Sequence, residues 1–516
     1  MKKKLALVLT VVSVGLFLIA CEGDSQQGAD SEGGRDYVIA AQASEAISVD
    51  IHGTNDIPSA QIHRHIFETL IFQDVDMNLH PGLATSWELI DDRVWEFTLR
   101  EGVYFHNGDY FTAEDVAFTF TRAAQSPAIG PILGMIDVST IEVVDTYVVR
   151  LGTYEPFAPF LFNLAHAASG IMNERAVEEA GDQVGREPVG TGPFTLYEWT
   201  PNQQAVLVRF EDYHGEIRPI PTMNRIVIRQ IPEASSRLIE LETGGIDIDL
   251  NPVPDNFSRI EELGEFNIVT IPGLRTEYIA LNHRHEHLGD RRVRQAINYA
   301  VDVDAIIQAV YNGHGTTGAS VISENIFAHN PAIEPYPFDL DRARELMAEA
   351  GLETGFSANI YANSERQDRV DIVTIIANQL AEINIELNIV TMDWPSLLEY
   401  IDGGEAPMFA LGWTATTGDA DIALFPLFHT SQIGPAGNRT AFSHPRVDEL
   451  LEIGRANSDV DIRKEAYFEI QEILREEAPW LITVQETPTV VVRDSIQGFA
   501  VDPVQSNYLG DLTFSE

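Results

Sequence analysis

Between residues 357 and 392 the chain spells out a strand, a helix and a second strand. Residues 357–361 have a short strand pattern, residues 365–383 carry apolar side chains at helical spacing, and Ile385–Met392 returns to a strand. A crossover of this length joins parallel strands and turns right-handed. The spacing therefore commits the fold to the α/β class, in which ligands sit beyond the carboxyl ends of strands.

The remainder agrees with that class and shows no repeat at a fixed period. Val94–Leu99 (VWEFTL) and residues 147–151 and 205–210 alternate apolar and polar positions, as strands do. Thr112-Ala113-Glu114-Asp115 has the form of a capping box, predicting a helix that runs on through Phe118 and Phe120. Asp290 is placed to cap a helix bearing Val293, Ala296, Ile297, Ala300 and Val301, with Gly313 beyond its end. Asp339 opens another, with Leu340, Ala343, Leu346 and Met347 on one face and a stop at Gly351.

At 516 residues, with 44% hydrophobic residues, the chain is long enough for two to four domains or two large lobes. Its net charge of −46 must therefore decorate the surface of a real core. So negative a field excludes nucleic acid, whose binding depends on Lys and Arg neutralising phosphates. Lys2, Lys3, Lys4 and Lys464 are the only lysines among 33 basic residues. A carboxylate-rich, lysine-poor surface stays hydrated where salt screens repulsion, so a saline, halophilic or alkaline medium is expected.

The first residues indicate where that medium lies. Lys2 to Lys4 precede an apolar run over residues 5–19, too short for a comfortable membrane span and matched to a secretory signal. Leu18-Ile19-Ala20-Cys21 ends it and resembles a bacterial lipobox, in which cleavage before the Cys leaves a lipidated N-terminus. Cys21 is the only cysteine, which excludes an intrachain disulfide and any Cys-rich metal site. We expect a signal peptide at 1–20, a Gly/Ser-rich tether at 21–36 and a body held outside the cytoplasm by a lipid on Cys21. The expected location is the periplasmic space or the cell surface.

Three further segments carry a family resemblance. Phe97-Thr98-Leu99-Arg100-Glu101-Gly102-Val103-Tyr104-Phe105-His106-Asn107-Gly108 continues to Phe111-Thr112-Ala113-Glu114-Asp115-Val116. Gly190-Thr191-Gly192-Pro193-Phe194 follows, and then Val293-Arg294-Gln295-Ala296-Ile297-Asn298-Tyr299-Ala300-Val301-Asp302. In this order, behind a lipobox, they resemble the peptide- and nickel-binding family (family 5) of extracellular solute-binding proteins that serve ABC importers. The resemblance implies a two-lobe periplasmic-binding-protein (Venus flytrap) fold with a hinge and a large first lobe. The large lobe would comprise 37–281 plus 485–516 and the second lobe 282–484, with crossings near 278–282 and 483–486. It also implies a monomer without cofactor or catalytic residues, whose partners are a peptide-like solute, the permease subunits and, through the lipid, a membrane.

Gly412-Trp413-Thr414-Ala415-Thr416-Thr417-Gly418-Asp419-Ala420-Asp421 is the most informative stretch for the ligand. In dipeptide-binding relatives the third residue after this Trp is an Asp that pairs with the ligand's α-ammonium; here it is Thr416. The pattern is more similar to the glutathione-binding branch, so glutathione or a short oligopeptide is the expected solute. Trp413 would offer a flat wall, flanked by Thr414 and Thr416, with Asp419 and Asp421 the nearest acids for a cation. Arg366 and Arg369 lie where the dipeptide branch places a carboxylate-binding Arg, whose planar fork suits a bidentate contact. Asn55 and Asp56, in the loop after the first strand, and Tyr278 at the hinge complete the candidates. The bland alternatives are a core tryptophan, a solvated acidic turn and an exposed helix-start arginine.

Nickel or another small solute on the same scaffold is the competing ligand class, suggested by His283-Arg284-His285-Glu286-His287. His285 and His287 at i, i+2 would share a strand face, but a variable surface stretch explains them equally, so no metal is assigned. A hydrolase is the rival from another class. The sequence has no Gly-x-Ser-x-Gly elbow, no His-Glu-x-x-His, no Gly-x-x-x-x-Gly-Lys loop and no spare cysteine nucleophile. A chemoreceptor partner or a chaperone on the same scaffold is not separated by sequence.

Overall fold

The computed structural model describes residues 35–435 and 437–515. The expected signal peptide, Cys21 and all but the end of the tether lie outside the described residues. No described helix is long and apolar enough to cross a membrane.

The strand–helix–strand unit forms as its spacing requires. Phe356–Asn363 and Ile385–Met392 pair in parallel over their whole length, joined by the helix Gln367–Leu380. They form one edge of a five-stranded sheet ordered Ile385–Met392, Phe356–Asn363, Met408–Thr414, Arg275–Leu281, Trp480–Gln485. Apolar clusters cover both of its faces, one centred on Ile360, Ile376 and Met408, the other on Phe409, Phe428 and Tyr467.

A second sheet has seven strands, with Tyr37–Gln42 near its middle, parallel to Arg225–Gln230 on one side and to Ile248–Asp249 on the other. A four-stranded antiparallel sheet includes Val94–Leu99 and Val148–Gly152 and packs its own core around Phe97, Phe105, Phe111 and Phe120. The helix Ala113–Ala123 starts where Thr112 predicts. The Asp115 carboxylate reaches back to accept the Thr112 amide at 3.0 Å. This is the return half of a capping box.

One expectation shifts. The helix capped by Asp290 ends at Ala300, because Asp302 caps a separate helix, Val303–Tyr311, and accepts the Ala305 amide at 3.0 Å. Gly313 thus follows the second helix, not the first. The chain passes twice between the two large sheets. Phe266–Thr270 belongs to the seven-stranded sheet and Arg275–Leu281 to the five-stranded one, so the outward crossing lies at 271–274, with Tyr278 already inside a strand. The return lies at 486–488, between Trp480–Gln485 and Thr489–Arg493. The two crossings hydrogen-bond to each other. Gly273 donates to the Glu486 carbonyl at 3.0 Å, Glu486 to the Arg275 carbonyl at 3.0 Å, and Ile271 to the Pro488 carbonyl at 3.2 Å. A continuous two-stranded ribbon therefore links the sheets. A side chain at Gly273 would place its Cβ 2.6 Å from the Glu486 carbonyl oxygen, which explains the glycine.

Candidate functional site

A cleft of about 150 Å³ opens where the loop after Tyr37–Gln42 and the turn after Met408–Thr414 face each other. Both are carboxyl ends of strands, the position the α/β class assigns to ligands. Asn55 and Asp56 line it from the side of the seven-stranded sheet, and Thr414 and Thr416 from the five-stranded one. Arg64, Glu68, Phe72, Arg218 and Asp502 complete its walls.

Two of the three motif segments meet beside the cleft, which Pro193 lines, and the third ties helices together in the other half of the chain. Gly190 lies against the end of the helix Ile57–Ile66, where a Cβ would come within 2.1 Å of the Ile66 carbonyl oxygen. That approach brings the Thr191 hydroxyl to Glu68 at 2.8 Å. Glu68 also accepts the Tyr213 hydroxyl at 2.8 Å and His214 Nε2 at 2.9 Å. His106 clasps the same turn: its amide donates to the Gly190 carbonyl at 3.0 Å and its ring to the Gly192 carbonyl at 2.9 Å. Burial holds the His106 ring down at a pKa of about 4, so the ring is neutral. In the second half, Arg294 is 2% exposed and bonds the carbonyls of Leu288, Gly289 and Glu477, tying its helix to the end of Val460–Glu477.

The structure sorts the expected site residues into three groups. Asn55, Asp56, Thr414 and Thr416 meet at the cleft. Asp56 nonetheless spends its carboxylate as the cap of Ile57–Ile66, accepting the Ser59 amide at 2.9 Å and hydroxyl at 2.8 Å, and the Thr54 hydroxyl. Thr414 Oγ1 accepts Arg275 Nη1 at 3.1 Å.

Arg366, Arg369 and Tyr278 sit by the ribbon. Arg369 is buried with both donors on Glu277, at 3.0 and 3.1 Å. Arg366 is the more open, its guanidinium 2.6 Å from Asp368 and 3.8 Å from Glu277. Arg275 joins this network, 2.7 Å from Glu277 and 3.1 Å from Glu486. Burial opposes ionisation of Glu277, but the charges of Arg275 and Arg369 outweigh it and hold its carboxyl below the usual range. Tyr278 stacks flat on Trp480, centroids 3.5 Å apart, as a core aromatic.

Trp413, Asp419 and Asp421 turn away from the cleft. The Trp413 indole donates to the Ile422 carbonyl at 3.0 Å and packs on the core cluster around Phe428. Asp419 is fully buried, paired with Arg463 at 2.7 Å, and caps the helix Ala420–Phe428 by accepting the Asp421 amide at 2.9 Å. Asp421 is buried 3.8 Å from Arg455, and burial pushes its carboxyl up to about 6. The acidic turn is thus buried, not solvated. The rings of His285 and His287 lie 5.8 Å apart beside Phe356. Among the described residues no group of three His, Cys, Asp or Glu side chains is placed to hold a metal.

Sequence reasoning missed Arg64, Glu68, Arg218 and Asp502. Glu68 did leave a signal, as an acid alone in the apolar run Phe67-Glu68-Thr69-Leu70-Ile71-Phe72. Arg218 left a fainter one, set between Ile217 and Pro219 with no acid beside it.

Comparison with known proteins adds the context. The model of bacterial extracellular solute-binding proteins, family 5 Middle, matches residues 78–435. The dipeptide-binding protein of Escherichia coli (strain K12) is 29% identical over 488 residues, covering 89% of this chain and 90% of that protein. The glutathione-binding protein GsiB of Salmonella typhi is 29% identical over 475 residues, covering 90% and 92%. Among solved structures, the periplasmic binding protein DppA of Helicobacter pylori in complex with the peptide STSA superposes with a TM-score of 0.72. It is 28% identical and covers 92% of this chain and 98% of that one.

Proposed function

Since the chain belongs to family 5 of the bacterial extracellular solute-binding proteins, a non-enzymatic family serving ABC importers, we propose that its solute is peptide-like, glutathione or a short oligopeptide. The observation that carries this reading is the cleft itself. Carboxyl ends of strands from two different sheets face each other there, with Thr414 and Thr416 on one side and Arg64 and Arg218 on the other. A peptide needs both hydroxyl and guanidinium partners, because its amides and carboxylates must exchange water for fixed donors and acceptors when enclosed. The names of the E. coli and Salmonella relatives, and the peptide held by the H. pylori protein, support the same class. Thr416, where dipeptide binders of the family carry Asp, favours glutathione or a longer peptide over a simple dipeptide.

In this reading the two large sheets belong to two lobes that close on the solute by bending the ribbon at 271–274 and 486–488, and the permease senses the closed form. The body is monomeric and held outside the cytoplasm by a lipid on Cys21, after removal of residues 1–20. Its excess of acid over lysine serves solubility in external salt.

A thermal-shift panel of glutathione, di- to pentapeptides, Ni²⁺ and sugars tests the solute class, because a ligand that binds only the native state raises the midpoint. Stabilisation by glutathione or peptides, and by neither Ni²⁺ nor sugars, is the expected result. No shift with any thiol tripeptide or peptide at millimolar concentration sinks the solute assignment and leaves the family untouched.

A further inference from the structure

Most charged groups of the cleft are already satisfied by the protein. Asp56 caps a helix, Glu68 accepts three donors, and Arg64 is bonded to the Asp502 carboxylate and the Ser506 carbonyl. Arg218 differs. Its guanidinium is clamped between two rings, 3.8 Å from the Tyr508 centroid and 4.7 Å from that of Phe72. Tyr508 in turn stacks on His65, centroids 5.0 Å apart, so the clamp has a rigid back. Only the Arg218 backbone amide makes a hydrogen bond, to the Tyr213 hydroxyl. Among the described residues no acceptor lies in hydrogen-bond distance of the guanidinium; the nearest carboxylate, Asp511, stands at 3.7 Å. The side chain is 17% exposed, and that exposure opens on the cleft.

A guanidinium held flat by stacking has lost its rotamer freedom before any ligand arrives, and it keeps its in-plane donors. Burial without a bonded acceptor is unfavourable for a charge, and burial lowers the Arg218 pKa from its ordinary value. A planar anion entering the cleft would relieve that cost with two parallel bonds.

We propose that Arg218 is the anchor for the C-terminal carboxylate of the bound peptide-like solute and selects ligands in which that carboxylate is free. This rests on the peptide reading above. Tyr508 and Phe72 act as positioning residues, and Arg64, paired through Nη1 with Asp502, adds positive charge to the same cleft.

The test is calorimetric titration of the full-length chain and its Arg218→Gln and Arg218→Lys variants. The probes are glutathione and alanine di- to pentapeptides, each as free acid and as C-terminal amide. On the native chain amidation should weaken binding by about 10- to 100-fold, the scale of a charge-assisted bidentate contact. In Arg218→Gln the acid should fall to the level of the amide, and the amide should bind as it does to the native chain. Arg218→Lys, which keeps the charge and loses the fork, should lie between and shows that the clamp still folds. An acid-to-amide ratio unchanged in Arg218→Gln, or an equal loss for both forms, overturns the anchor while native binding stands. No binding of any probe to the native chain overturns the peptide reading and the anchor with it.

Discussion

Arg463 Nη2 lies 2.7 Å from Asp419 Oδ1, and neither side chain is more than 4% exposed. The guanidinium also donates to the Gly454 carbonyl at 2.8 Å and stacks over Phe327, 4.8 Å from its centroid, so the pair fastens the turn after Trp413 to the core. A residue that pattern places at the ligand is therefore spent on structure.

Asp419→Ala should be strongly destabilising, because it strands a buried guanidinium. The expected cost is about 3–5 kcal/mol in urea unfolding. Replacing both partners, as Asp419→Leu with Arg463→Met, should recover most of it, since no charge is then left unpaired. A single-variant loss below about 1 kcal/mol would contradict the pairing.

Asp421 should make the protein less stable as pH rises. Its folded carboxyl is near pH 6 and the ordinary value is 3.8, so between these the folded state binds the extra proton. Stability is fully present below about pH 4 and is lost as pH passes through 6, by about 3 kcal/mol. Asp421→Asn should remove this loss and stabilise the chain at pH 7, measured as free energy of unfolding against pH. A variant less stable than the native chain at pH 7 would count against it.

Histidines act in the opposite direction. Burial holds His65 at a pKa of about 3 and His106 at about 4, against 6.5 in the open chain. The unfolded state then binds more protons below pH 6.5, so stability is full above that value and falls as pH drops toward 4. Each should cost about 2 kcal/mol between pH 7 and pH 5. His106→Gln, which keeps a donor for the Gly192 carbonyl, should flatten its share of that slope; an unchanged slope would refute the assignment.

Thr416→Asp should redirect specificity. It places a carboxylate in the cleft wall beside Thr414, where the family resemblance implies a dipeptide's α-ammonium would sit. Peptides with a free amino terminus should gain about tenfold over their N-acetylated forms, read by calorimetry, as expected for a charge-assisted bond. Equal change for both forms would show that position 416 does not face the ligand's amino end.

The elements were legible where local chemistry decides them. Asp290 and Asp339 cap the helices assigned to them, and Ile385–Met392 is the strand its pattern describes. The site was legible only in part. Thr414, Thr416, Asn55 and Asp56 do reach the cleft, because they follow strands whose carboxyl ends point there. The buried partners of Asp419 and Arg369 were not legible, because a charged residue reads the same in sequence whether it faces solvent or a buried partner. Arg463 lies 44 residues from Asp419, and Glu277 lies 92 from Arg369. Arg218 left only a faint signal for the converse reason: its clamp is assembled from Phe72 and Tyr508, far away on both sides.

The ribbon between the sheets also dictates an order of assembly. Thr489–Arg493, the strand just past the return crossing, sits between Phe266–Thr270 and Ile248–Asp249 in the seven-stranded sheet. Residues up to Leu512 add to that sheet's core. The half of the molecule that begins first is thus closed by residues made only after the whole of the other half. The segment from Arg275 to Gln485, by contrast, is contiguous, and its two ends already lie side by side in register at Thr276 and Gln485. It holds everything it needs to collapse while the older half still waits with an unpaired strand edge, the state in which long-range β proteins are most exposed to aggregation.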